Sequence, residues 1–292
     1  MNCTICKTPM NGPHRGYWFL CPQCGFLASS LSPSIGDLTN DNAIDEMRRR
    51  EALDDLRHLN FERVLDVLDG LAVSQPKRLL DVGCAHGWFL QAAAKRGYLA
   101  TGVEPDPVIA NQARRNGLSV IPGFFPQDIP ADEVFDVISF HDVLEHLPSL
   151  QEAATACFER LSPSGLLVIV LPSSEGFLFR LAQHLSQLGL HGPLDRLWQR
   201  GFPSPHLSYF HPCALESLLV PHGFREVHRG TLASFTRKGL WQRLTYDRRS
   251  SRIISGIQWL ALSLLSPLQA FLPADISFQI FRRDTVNPPV GV

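Results

Sequence analysis

The stretch Leu79-Leu80-Asp81-Val82-Gly83-Cys84-Ala85-His86-Gly87-Trp88-Phe89-Leu90 decides how this chain is read. A short apolar strand runs into a turn with glycine at 83 and 87, and the chain then becomes helical. Glycine lets a backbone approach a ligand closely and hold conformations that other residues resist. The helix that follows offers unpaired N–H groups at its start. Twenty-one residues beyond Gly83 a second strand ends Thr101-Gly102-Val103-Glu104-Pro105-Asp106. An acid at such a strand end can accept hydrogen bonds from both hydroxyls of a ribose. The order G-x-A-x-G behind an acid departs from the G-x-G-x-x-G of nicotinamide-binding turns.

Working outward, short apolar runs alternate with helical stretches from Pro76 on. The pattern predicts strands at Arg78–Val82, Leu99–Glu104, Ser119–Ile121, Phe135–Phe140 and Leu166–Leu171, with helices near Trp88–Arg96, Pro107–Asn116 and Leu150–Leu161. Strands separated by helices imply a parallel sheet covered on both faces, an α/β fold. Residues 173–212 interrupt the alternation with a helix at Phe177–Leu188 and a loop rich in Pro, His and Gly. A helix at Pro212–His222, a strand at Phe224–Leu232 and a last strand at Ile276–Phe281 resume it. Upstream, Ile44, Met47, Leu53, Leu56, Leu59, Val64, Leu65 and Leu68 recur at a spacing that lines one side of a helix or helix pair.

The marks DVGCAHG, GVEPDP, FDVISFHDVLEHL and LSPSGLLVIVLPS make residues 76–232 resemble the class I S-adenosylmethionine-dependent methyltransferases. That resemblance implies a Rossmann-like seven-stranded sheet in a three-layer sandwich, its last strand antiparallel to its neighbours. It implies S-adenosyl-L-methionine as cofactor, with Asp81, Gly83, Ala85 and Gly87 around the methionine part. Glu104 would hold the ribose, Asp106 would lie beside the adenosine, and Phe140 and His141 would pass near the methionyl end. Ala85 replaces the family's central turn glycine. Gly123 is followed by Phe124 and Phe125 where many members carry an acid for the adenine amine, so an apolar contact through Phe124 is expected, with Asp128 a weak substitute.

At the amino terminus, Cys3-x2-Cys6 and Cys21-x2-Cys24 frame fourteen residues that suit a β-hairpin. Two such pairs favour one structural Zn2+ held by four thiolates, with a rubredoxin-like iron as the alternative. No charged segment followed by an apolar run opens the chain, so a reducing cytosol is the expected compartment. The divisions expected are a zinc ribbon at 1–26, a linker and helices at 27–75, and a methyltransferase domain at 76–292. That domain carries a lid insertion at 173–212 and a basic and apolar insertion at 233–274.

Candidate bases for an acceptor are His141, Asp142, Glu145 and His146 after the fourth strand, then His206, Tyr209 and His211. Of these, His141 is the first choice, and His146, His206 and His211 are the further catalytic candidates. Glu145 and His146 have packing as their alternative role; His206 and His211 have loop or helix capping. Residues 1–75 hold 7 basic and 10 acidic residues, which disfavours a nucleic-acid-binding ribbon. A small-molecule, glycan-type or lipid-linked acceptor is therefore expected, with an RNA base or a non-catalytic recruiting role as alternatives. Residues 173–292 hold 13 basic against 7 acidic residues, which places an anionic partner in the carboxy-terminal third. Within it, the uncharged run Ile253–Leu272 reads either as a helix packed on the fold or as part of a peripheral contact with anionic membrane through 225–272.

Overall fold

The computed structural model describes residues 1–33, 46–71, 77–246 and 251–284, side chains within 46–53 and at 270 excepted. The amino-terminal module forms β1 (Asn11–His14), β2 (Trp18–Leu20) and β3 (Leu27–Ser29), followed by the long helix α1 (Glu46–Gly70). The central part alternates β4 (Arg78–Val82), α2 (Trp88–Lys95), β5 (Leu99–Glu104), α3 (Pro107–Arg115), β6 (Ser119–Pro122), β7 (Phe135–His141), α4 (Leu150–Arg160) and β8 (Leu161–Pro172). An insertion then supplies α5 (Phe177–Gln187), α6 (Gly192–Leu197) and β9 (Ser208–Tyr209). The chain ends with α7 (Pro212–Leu219), β10 (Phe224–Leu232), α8 (Leu240–Thr245), α9 (Arg252–Leu265) and β11 (Ile276–Arg283).

Seven strands line up in the order β10-β11-β8-β7-β4-β5-β6, with β11 antiparallel to both its neighbours. This is the Rossmann-like methyltransferase sheet that the sequence implies. Each central strand is apolar on both faces because helices cover both. Leu79, Val137, Leu166 and Val168 pack under α1, α2 and α3, whereas Leu80, Ile138, Leu167 and Ile169 pack under α4 and α7. Local signals fix the helix starts. Asp106 caps α3 ahead of Pro107, and Ser149 caps α4.

Two expectations change. Residues 27–29, read as linker, form β3, because they find edges on both sides: β2 and, from the insertion, β9. Leu59 does not share the buried face of α1; it is exposed, and Phe61 takes its place with Val64, Leu65 and Leu68. Arg243, ahead of α9, is half-buried and donates to Ser234 O. Of the residues named from sequence, Ile44 lies outside the described residues, as do the side chains of Met47 and Leu53.

The carboxyl ends of β4, β5, β7 and β8 share one edge of the sheet. Pairing of Ile276 with both Pro172 and Leu232 brings the end of β10 to that edge too. Both insertions, 173–207 and 233–275, therefore leave the sheet where the glycine turn lies. No helix among the described residues is long and apolar enough to cross a membrane.

Candidate functional site

Between β4 and α2, Gly83 stands at φ +67°, Ala85 at +46° and Gly87 at +77°. A Cβ at 83 would lie 2.6 Å from Val143 Cγ2, so the turn has room for glycine alone there. The left-handed conformation costs Ala85 about 1 kcal/mol or more. Its N–H donates to Glu104 Oε2 at 2.9 Å, and Glu104 Oε1 accepts from Asp106 N at 2.9 Å. One carboxylate thus ties the turn to the end of β5 and keeps lone pairs for two further donors. Burial pushes the Glu104 carboxyl up against the pull of those two N–H groups.

Asp81 is buried at the end of β4 and accepts from Ser139 Oγ at 2.8 Å. Burial pushes its carboxyl up to about 7, while the Ser139 hydroxyl and the charge of Arg57 pull it down. A buried acid in this state gains from a cation set beside it. The ammonium of a methionine would be such a cation, so the acid, the tight turn and Glu104 together fit S-adenosylmethionine. Asp106, expected beside the adenosine, spends Oδ1 on capping α3, accepting from Val108 N and Ile109 N at 2.8 and 3.1 Å. The Phe140 side chain is wholly buried against Phe125, which leaves only its backbone for the site. Phe124 is half exposed, and Asp128 Oδ2 accepts from its N–H at 2.7 Å. The acid missing after Gly123 is brought to the same turn from 128.

His141 closes β7, and the next residue, Asp142, holds φ +56°. Its ring lies between Phe89 and Phe61, with centroids 4.1 and 5.0 Å away. Its Nε2 is buried without a hydrogen-bond partner. Burial, helped by Arg57, pulls the imidazole down to about 3, so it is neutral near pH 7. An unpaired buried nitrogen of this kind is stabilised when a ligand hydroxyl reaches it.

A second group forms beside it. The rings of His146 and His206 are 4.7 Å apart. His146 Nδ1 lies 2.9 Å from Pro205 O, and His206 Nε2 lies 2.8 Å from the Gln199 amide nitrogen. Glu145 Oε1 is 4.0 Å from His206 Nε2, yet this is no ion pair. Burial, with Asp142 nearby, pushes the Glu145 carboxyl well up, and burial pulls the His206 imidazole well down. Both shifts favour the neutral forms, and neither Glu145 oxygen has a hydrogen-bond partner among the described residues. One ligand atom from each of Glu145, His146 and His206 lies within 4.8 Å of the others, so the group has the donors for a divalent ion as well as for an acceptor.

His211 is placed elsewhere. It caps α7 by accepting from Cys213 N at 3.2 Å and meets Glu175 at 3.2 Å. Tyr209 is buried with its hydroxyl donated to Leu197 O at 2.8 Å. Sequence reasoning missed Ser139, Arg57 and Phe61. Ser139 was detectable as a polar residue set within the apolar run Val137–Phe140. Arg57 and Phe61 arrive from α1, and nothing local says which site a helix covers.

In the amino-terminal module the sulfurs of Cys3 and Cys24 are 3.7 Å apart, Cys6 and Cys21 3.3 Å, and Cys6 and Cys24 3.6 Å. Tetrahedral zinc with bonds of about 2.3 Å needs sulfurs roughly 3.8 Å apart, so the four thiols fit one ion. The module is docked on the insertion. Tyr17 Oη donates to Asp195 Oδ1 at 2.9 Å, Trp18 stacks on Trp198, and Ser29 N donates to Leu207 O at 2.8 Å. Leu207 N in turn donates to Glu145 O at 2.8 Å.

A family model described as a methyltransferase domain matches residues 48–229. The chain is 29% identical over 159 residues to a ubiquinone biosynthesis O-methyltransferase of Alkalilimnicola ehrlichii, covering 51% of this chain and 62% of the relative. It is 35% identical over 102 residues to the enzyme of that name from Actinobacillus pleuropneumoniae, covering 31% and 44%. The chain thus spans less than two thirds of these relatives' length. Among solved structures, a SAM-dependent methyltransferase from Archaeoglobus fulgidus aligns at TM-score 0.52 and 17% identity, over 82% of this chain and 99% of that one. A cyclopropane synthase from Mycobacterium tuberculosis aligns at TM-score 0.53 and 18% identity, over 75% and 83%. At these identities the likeness speaks for the fold.

Proposed function

The chain belongs to the methyltransferase-domain family, and from that premise we propose that it methylates a hydroxyl of a small, lipid-linked acceptor. S-adenosylmethionine, when bound, supplies an electrophilic methyl group on a sulfonium. The observation that carries the reading is Glu104, which braces the 83–87 turn through Ala85 N and retains acceptor capacity for the ribose hydroxyls. Asp81 would meet the ammonium, and the Gly83 turn would admit the methionine backbone. Phe61 and Phe89 keep water from the reacting end, and positioning of this kind accounts for much of such a rate enhancement.

His141 Nε2 orients the acceptor hydroxyl. As the new C–O bond forms, that oxygen becomes strongly acidic, so even a weakly basic imidazole takes its proton. With the cofactor bound, its methyl would leave sulfur for the acceptor oxygen, a thioether would remain, and the proton from that oxygen would go to His141 Nε2. The O-methyltransferase names of the relatives and the apolar setting of His141 support a hydroxyl on an apolar body. The four thiolates of Cys3, Cys6, Cys21 and Cys24 hold a structural Zn2+, because so small a module cannot bury enough core to fold unaided.

Calorimetry with S-adenosylmethionine should show binding that Glu104→Ala reduces by about tenfold or more, which corresponds to about 1.4 kcal/mol. Methyl-labelled cofactor added to extract should then mark the lipid fraction, and His141→Asn should slow that labelling with cofactor affinity retained. Label in RNA would favour the zinc-ribbon RNA methyltransferase reading instead. Binding without any labelling would favour a non-catalytic recruiting protein.

A further inference from the structure

The run from Ile253 to Leu272 holds no charged residue, and most of α9 within it is open to solvent. Only Ser255 of this helix is buried, and its hydroxyl donates to Leu244 O at 3.2 Å. The apolar side chains face away from the protein. Ile253, Ile254, Ile257, Leu260 and Leu264 are 78, 56, 66, 56 and 67% exposed. Their spacing puts them on one stripe, and Phe271, 85% exposed, follows beyond the helix end. An ordinary surface helix turns its apolar stripe inward. This one is inverted, and nothing among the described residues covers the stripe.

We infer that α9 and the turn after it lay the protein on an anionic lipid surface, with the stripe in the acyl boundary and the helix axis in the membrane plane. Charge selects this occupant. No acid occurs from Ser251 to Ala274, while Arg252 stands exposed at the helix start. Arg237 reaches the far half of the helix, donating to Ser263 O at 3.0 Å, whereas Lys238 is already paired with Asp55 of α1 at 2.9 Å. An apolar stripe rimmed by cations is what anionic headgroups attract. Trp241 and Trp259, each about two fifths exposed, suit the interfacial depth. Fourteen residues give a helix roughly 21 Å long, too short to span a core of about 30 Å.

The position gives the contact a use. Residues 233–275 leave the sheet at the edge that carries the glycine turn, and Arg196 of the other insertion lies 5.2 Å from the Tyr246 ring. The stripe would set the open end of the site toward the bilayer. This goes beyond the methyl-transfer reading, since lipid binding needs neither cofactor nor acceptor.

The full chain is floated at low salt with vesicles of phosphatidylcholine, with or without phosphatidylglycerol. Binding is expected with phosphatidylglycerol, about tenfold weaker without it, and weakened again by added salt. The double variant Ile257→Glu, Leu264→Glu should lose lipid binding by about tenfold or more, with melting temperature and cofactor binding unchanged because both side chains are exposed. Absence of flotation with phosphatidylglycerol overturns the inference, as does undiminished binding by the variant. A wild-type dimer that the variant renders monomeric would also overturn it, assigning the stripe to a second copy.

Discussion

Asp81 is an acid whose charge burial suppresses and a cation set beside it would restore. Its folded value of about 7 lies above the roughly 3.9 of an unfolded Asp, so between those values the native state holds the extra proton. Stability from this group therefore falls as pH rises through that window. Cofactor binding runs the other way, because the ammonium favours the ionised carboxylate. Affinity for S-adenosylmethionine should climb from pH 6 to a plateau above about 7, and Asp81→Asn should flatten the climb; calorimetry across pH reads both. Gly83→Ala should cost about 1–3 kcal/mol of stability, read by denaturant unfolding, since it adds a Cβ at φ +67° against Val143. Gly83 and Glu104 were legible in sequence because their demands are local, a backbone conformation and a strand end. Arg57 and Phe61 were not, because they act from a helix placed by tertiary packing.

At the scale of elements, the central strands were readable because burial on both faces leaves unbroken apolar runs such as Leu166–Leu171. Strand β3 was not. Three residues carry little pattern, and their partner Tyr209 lies far along the chain. Nor did the uncharged run Ile253–Leu272 say that Ser255 would face inward and the apolar side chains outward. The β3–β9 pairing gives the cysteine module a reach into the site, through Ser29 to Leu207 and from Leu207 to Glu145. Chelation, or Cys21→Ser, should therefore speed amide exchange across residues 206–210 as well as within the module. Exchange confined to residues 1–30 would count against that coupling.

On the whole molecule, charge and core divide differently. Acidic residues prevail before 173 and basic ones after it, yet the cores cross that line. Tyr17 and Leu27 share one cluster with Phe179, Trp198 and Tyr209, and Cys3, Ile5 and Phe26 join the main core. The module is built into the enzyme rather than tethered to it. A chain lacking residues 1–33 should aggregate or melt at least about 5 °C lower in scanning calorimetry, because it uncovers those aromatics. The pairing of Leu27 with Tyr209 also has a meaning during synthesis. At ribosomal speeds of about 5–20 residues per second, β3 waits roughly 10–35 s for the strand that covers its free edge. Through that interval the nascent chain carries an open β-edge. Metal capture by the four thiols, as proposed for the module, would fold it early and leave only a three-residue edge to guard until residues 208–209 emerge.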